Sequence, residues 1–211
     1  MRAHKWHGIN RLPFGGVEDG LGSDELPQGW FRARIQRGEN AYPKEEMGAP
    51  PKRLASHGRA NPAGIPYLYL ASGVTTAISE VRPHTGDRVS VARVEIPENL
   101  KVIDLATPRL TVSPFVLEDE GQVGLLRADI AFLEQLGKEL AQPILPNAAA
   151  VDYTPTQYLC EFVKTCGFHG VQYKSSVGQD TNMALFDRTS AQIGTIKVHS
   201  VTRVSVRHKP S

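Results

Sequence analysis

Glycine and proline cut this chain into short pieces, and that punctuation constrains the fold more than any other feature. Nineteen glycines and fifteen prolines stand among 211 residues, above the usual share of roughly 12%. Between them lie short runs rich in Val, Ile and Tyr, which read as strands. Only residues 122–140 are periodic enough for a long helix, with Leu126, Ile130, Leu133, Leu136 and Leu140 recurring at three- and four-residue steps. A helix bundle is excluded. The prediction is an α+β fold with a curved, largely antiparallel sheet and a few helices.

The chain divides into an irregular, Gly-rich arm over residues 1–29 and a compact domain over 30–211. Strands are expected at Trp30–Ile35, Tyr67–Ala71, Val89–Ile96, Val102–Leu105, His169–Tyr173, Asn182–Asp187, Gln192–His199 and Val201–Val206. Residues 36–66 lack periodicity and read as a long loop region, a kind that tends to carry function. Thr75 or Thr76 can cap a short helix that carries Glu80 and stops before Pro83. Thr156 can cap another that runs to Cys166, with Leu159, Phe162, Val163 and Cys166 on one face and Gly167 as its stop.

Composition removes several function classes. The 24 Lys and Arg nearly balance 22 Asp and Glu, for a net charge of +2. That argues against coating nucleic acid, while leaving room for a local anion site. The first sixteen residues have no apolar h-region, and no run of 18 apolar residues occurs. A cytoplasmic protein without a membrane span is expected. Cys160 and Cys166 would lie about 120° apart on a helix, so they are expected to stay reduced. No Walker loop, dinucleotide GxGxxG, HExxH or GxSxG motif is present. His4 and His7 make a weak metal pair, and no metal site is expected.

Three segments combine rigid turn residues with polar groups. The first is Gly58-Arg59-Ala60-Asn61-Pro62-Ala63-Gly64, just before the Tyr67–Ala71 strand. Arg59 either grips a phosphate with its planar fork or is a loop arginine bonding nearby carbonyls. The second is Thr76-Ala77-Ile78-Ser79-Glu80. Glu80 either bonds a ribose hydroxyl and offsets developing positive charge, or is a solvated helix residue paired with Arg82 or Arg88. The third is Gly170-Val171-Gln172-Tyr173-Lys174-Ser175-Ser176, then Asn182-Met183-Ala184-Leu185-Phe186. Its serines either line a pocket or simply form a turn.

Together these segments resemble the RES family, in the family's order over roughly residues 30–187. The elements are Trp30–Arg34, the GRANPAG loop with its following LYLA, TAISE at 76–80, PTQYLCEF at 155–162, GFHGVQYKSS at 167–176 and NMALF at 182–186. Ala60 stands where family members commonly carry an aromatic residue. The resemblance implies a fold similar to the ADP-ribosyltransferase toxins and an enzyme acting on NAD. Characterised types cleave the nicotinamide–ribose bond, with inorganic phosphate as co-substrate in some. Others are described as transferring ADP-ribose to a protein. Many are the toxin half of a toxin–antitoxin pair, which implies a protein antitoxin as partner. A non-catalytic NAD-binding module is a further alternative, and a homodimer is left open.

Such chemistry needs no metal or other cofactor, because nicotinamide departs as a neutral ring from a cationic one. The site must orient NAD, exclude water and stabilise an oxocarbenium-like centre. The resemblance assigns Arg59, Glu80 and Ser175 as catalytic candidates. Arg32, Tyr69, Ser176 and Asn182 are candidates for holding NAD. Arg32 is the second choice for the phosphates, and Ser176 the substitute for Ser175. Tyr69 either packs on the nicotinamide or ribose, or is a core tyrosine with a satisfied hydroxyl. Glu161 is expected in solvent, opposite the apolar stripe of its helix. Arg203 and Arg207 are expected as surface or sheet-edge charges.

Overall fold

The computed structural model describes residues 29–97, 100–108, 120–142, 152–187, 189 and 191–205, with backbone alone for 120–129. All but the last residue of the expected arm therefore lies outside the described residues, as do His4, His7, Arg207 and the Leu126 side chain.

Among the described residues are seven strands and three α-helices. In chain order they are β1 (Trp30–Ile35), β2 (Leu68–Ala71), α1 (Val74–Glu80), β3 (Arg88–Glu95), β4 (Val102–Asp104), α2 (Glu120–Ala141), α3 (Thr154–Thr165), β5 (Gly170–Lys174), β6 (Thr181–Leu185) and β7 (Gln192–Ser200). The strands form one sheet in the order β4-β5-β6-β2-β1-β3-β7. Only β4 and β5 run parallel, so the expected α+β class with a largely antiparallel sheet holds. Among the described residues, no helix is long and apolar enough to cross a membrane.

Side-chain alternation along β2 organises the core. Tyr67 and Ala71 face the helices, Tyr67 joining Leu136 and Leu140 of α2 and Cys160 and Val163 of α3. Leu68 and Leu70 face the other way, with Val94, Met183 and Leu185. Phe31 and Ala33 of β1 pack with Ala77 under α1.

The junction of β1 and β2 matters most for function. β1 pairs with β3 along its whole length, from Trp30↔Val94 to Ile35↔Val89. β2 pairs with β6 from Leu68↔Leu185 to Ala71↔Asn182. Between β1 and β2 the one paired rung is Phe31↔Ala71. The two strands part beyond it, which opens a gap inside the sheet.

Several expectations need correction. α1 is capped by Gly73 rather than Thr75 or Thr76. The buried Thr76 hydroxyl instead donates to Asp180 Oδ2 at 2.5 Å, fastening α1 to the β5–β6 loop. α3 begins after Tyr153, two residues before the expected cap. Thr156 sits inside it and donates to the carbonyl of Arg59 at 2.6 Å. The buried face of α3 carries Thr156, Gln157, Cys160 and Val163, while Phe162 and Cys166 are exposed. Polar Thr156 and Gln157 are drawn inward because the Gly58–Arg59 loop offers them carbonyls. Gly167 does end the helix, with a left-handed φ of 85°.

Of the strand expected over Val201–Val206, residues 201–205 are irregular and Val206 lies outside the described residues. Val201 accepts a hydrogen bond from the Gly86 N–H and donates to the Asp87 carbonyl, at the turn before β3. Arg203 is therefore an exposed charge outside the sheet. Glu161 is only partly in solvent. It accepts a hydrogen bond from Tyr67 Oη at 2.5 Å and pairs with Lys164 at 3.7 Å.

Candidate active site

The gap between β1 and β2 opens into a cavity of about 320 Å³, lined by both strands, α1, the Gly58–Arg59 loop and the ends of β5 and β6. Arg32, Arg59, Tyr69, Glu80 and Asn182 all line it. A second hollow of about 480 Å³, between the end of β4 and α2, is larger. Glu134, Lys138 and Lys174 line it but none of the candidate site residues does, whereas five of those meet on the smaller cavity.

Glu80, at the C-terminal end of α1, is the acidic pole. Its Oε1 accepts hydrogen bonds from Ser175 Oγ at 2.8 Å and Asn182 Nδ2 at 2.6 Å. Ser175 is itself fixed, because its Oγ also accepts the backbone N–H groups of Val177 and Gly178 at 3.1 and 3.0 Å. The same loop is tied to α1 through Thr76 and Asp180. The carboxylate is thus held by two donors on a rigid hairpin. Neither Arg82 nor Arg88 pairs with it among the described residues.

The two serines serve different poles. Ser176 Oγ accepts from Arg59 Nη2 at 2.6 Å, while Arg59 Nη1 donates to the carbonyl of Leu140 at 2.6 Å. Leu140 lies in the last turn of α2, where carbonyls lack helical partners and a cation is favoured. These bonds tie the Arg59 loop to α2 and the β5–β6 hairpin, while Arg59 also lines the cavity.

Arg32 is placed differently. Its Nη1 reaches across the parting to the Tyr69 carbonyl at 3.2 Å, and its buried Nε has no partner. Burial, with the neighbouring Arg34 charge as the smaller cause, lowers its pKa to about 10. No carboxylate pairs with it among the described residues. A guanidinium in this state is a positive charge set up for an anion.

Tyr69 has the satisfied hydroxyl of a core tyrosine and also lines the cavity. Its ring lines the cavity, while its hydroxyl donates to Asn61 Oδ1 at 2.6 Å and accepts the Ala60 N–H at 3.1 Å. Asn61 in turn donates to the carbonyls of Ser56, Pro62 and Ile65. Glycine at 58 follows from this knot, since a Cβ there would collide with Asn61 Oδ1 and the Tyr69 hydroxyl. Burial pushes the phenols of Tyr69 and Tyr173 well above their ordinary pKa and that of the Cys160 thiol up to about 12. None of the three is a ready nucleophile. Tyr69→Phe leaves the Ala60 N–H and Asn61 Oδ1 without a partner. It is expected to lower unfolding free energy by about 1–3 kcal/mol, measured by urea titration.

All seven residues singled out from sequence thus fall on or beside one cavity, Ser175 and Ser176 through their bonds to Glu80 and Arg59. Sequence reasoning missed Phe31, His57, Tyr153 and Tyr173, which also line it. Tyr173 was within reach, since it stands two residues before Ser175 and strand alternation puts the pair on one face. His57 and Tyr153 lie in aperiodic stretches that carry no such signal.

A protein-family model described as the RES domain matches residues 30–207. No curated protein matches the chain. Among solved structures, a chain of the crystal structure of the M. tuberculosis MbcT–MbcA toxin–antitoxin complex is similar at 14% identity. That match covers 82% of this chain and 84% of the other, with a TM-score of 0.46.

Proposed function

Since this chain belongs to the RES domain family, we propose that it cleaves the nicotinamide–ribose bond of NAD, with phosphate or water as acceptor. The observation that carries the reading is the fixed Glu80 carboxylate, held by Ser175 and Asn182 in a cavity that also contains the unpaired Arg32 guanidinium. Nicotinamide and its ribose carry the cationic end of NAD, and the diphosphate its anionic middle. A site with one negative and one positive pole orients such a molecule along a single direction.

The chemistry follows from that orientation. The bond from ribose C1′ to the ring nitrogen breaks, and its electron pair goes to nicotinamide, which leaves neutral. Positive charge develops on C1′ and the ring oxygen. Glu80 offsets it and bonds the 2′-hydroxyl, which is where preorganised electrostatics lowers a barrier most. Arg32 holds the diphosphate, and the Tyr69 ring packs against the nicotinamide end. Arg59 and Ser176 keep the loop and hairpin walls at fixed separation. A phosphate oxygen then bonds C1′ to give ADP-ribose 1″-phosphate. With water as acceptor, ADP-ribose and a proton are released instead. A cavity near 320 Å³ lies at the small end of ligand sites. It suits the nicotinamide-ribose half, with the adenosine half toward the opening.

The family resemblance extends the proposal to the toxin half of a toxin–antitoxin pair, depleting cytoplasmic NAD until a protein antitoxin covers the cavity. The test is mass spectrometry of NAD incubated with the protein, with and without inorganic phosphate. Nicotinamide is expected in the phosphate sample with either acceptor, and without phosphate only if water serves as acceptor. ADP-ribose 1″-phosphate in the phosphate sample marks a phosphorylase, and free ADP-ribose in both a glycohydrolase. ADP-ribose attached to a protein would replace this reading with a transferase, and NAD bound but unchanged would replace it with a binding module.

A further inference from the structure

Two buried polar atoms without hydrogen-bond partners belong to residues lining the same cavity, Arg32 Nε and Asn182 Oδ1. The first suits an anion and enters the proposal above. The second asks for something an anion does not supply. Asn182 is 5% exposed and lies in β6, paired with β2 at Ala71 and with β5 at Tyr173. Its backbone therefore cannot shift to find a partner. Its amide orientation is also determined, because Glu80 Oε1 can only accept and the 2.6 Å contact must come from the amide nitrogen. Oδ1 is left as a buried acceptor, which calls for a ligand hydroxyl or N–H.

Resting on the NAD reading, we infer that Asn182 Oδ1 accepts the 3′-hydroxyl of the nicotinamide ribose, next to the 2′-hydroxyl taken by Glu80. The chemical argument is the spacing of acceptors. Glu80 and Asn182 are in direct contact, so they present acceptors side by side. A cis-diol carries two donors on adjacent carbons and meets both. A phosphate, or a sugar lacking one hydroxyl, leaves Asn182 unpaired, and an unpaired buried polar group is how a site rejects the wrong ligand. Asn182 is then a specificity residue for ribose that also steadies Glu80.

The test compares NAD with an analogue lacking the 3′-hydroxyl on the nicotinamide ribose. Wild type, Asn182→Leu and Asn182→Asp are each measured by calorimetric binding and by nicotinamide release. Wild type is expected to bind the analogue about tenfold or more weakly, with the change in KM rather than kcat. Asn182→Leu is expected to bind both alike. Asn182→Asp keeps an acceptor oxygen but loses the donor to Glu80 and sets a second carboxylate beside it, so it is expected to bind both compounds more weakly yet go on discriminating. Circular dichroism reports folding, and if the Leu variant is unfolded the wild-type ratio and the Asp variant decide. Equal binding of both compounds by wild type overturns the inference, as does an unchanged ratio in folded Asn182→Leu. NAD bound but not cleaved would remove the proposed activity while the binding ratios still judge Asn182. No binding of NAD at all overturns both.

Discussion

Glu80→Gln is expected to slow nicotinamide release by about 10²–10³ while leaving the fold and the KM for NAD nearly unchanged. The substitution keeps the shape of the side chain and a carbonyl oxygen. Ser175 Oγ and Asn182 Nδ2 can therefore still donate to it, as they do to Glu80 Oε1. What disappears is the negative charge. In the ground state the loss is small, since the amide nitrogen that replaces the second carboxylate oxygen can donate to the ribose hydroxyl oxygen. In the transition state the ribose is cationic, and a neutral amide does little to offset it. The loss therefore falls on kcat. Steady-state kinetics alongside a thermal melt separates this from misfolding. A variant with full kcat, or one whose whole loss is in KM, would take Glu80 out of the chemistry.

Arg32→Met is expected to make the free protein more stable and the enzyme worse. The Arg32 guanidinium is buried with an unpartnered Nε and lies close enough to Arg34 to feel its charge. A long apolar side chain in the same space removes that penalty, for a gain of about 1–3 kcal/mol. The pH dependence has a definite sign. Burial lowers the folded-state pKa of Arg32 to about 10 from 12.5. The unfolded chain thus binds more protons than the native one only above about pH 10, and stability from this group rises there. At neutral pH the whole penalty is present, and the gain in Arg32→Met is fully expressed. Affinity for NAD is expected to fall by at least about tenfold, because the diphosphate loses its charge-assisted bonds. ADP-ribose is expected to raise the melting temperature of wild type by more than that of the variant. A variant less stable than wild type, with NAD affinity intact, would show Arg32 to be a structural residue.

The sequence made the site more legible than the helix ends. Arg59 stands in a loop bracketed by Gly and Pro, and Glu80, Ser175 and Asn182 stand at helix and strand ends, on short segments whose order carries the family resemblance. What the sequence could not rank was the two arginines. Arg59, in a loop bracketed by Gly and Pro, looks the better anion ligand, whereas Arg32 looks like one of the outward residues of an alternating strand. Tertiary contacts set them apart: the carbonyl of Leu140 lies within reach of Arg59, and β1 and β2 share a single paired rung beside Arg32. The cap readings failed for a related reason. Thr76 and Thr156 have the side chains of good caps, but Asp180 and the Arg59 carbonyl are partners from distant parts of the chain. The buried face of α3 was misjudged by position, since Thr156 and Gln157 are held inward by loop carbonyls that apolar periodicity does not reveal.

The most direct measurement is nicotinamide release when the purified chain is incubated with NAD and inorganic phosphate at neutral pH, followed by liquid chromatography against a Glu80→Gln control. The account predicts nicotinamide accumulating over many turnovers with wild type and about a hundredfold or more slower with the control. Intact NAD after prolonged incubation with folded wild-type protein, or equal release by the two proteins, would contradict it.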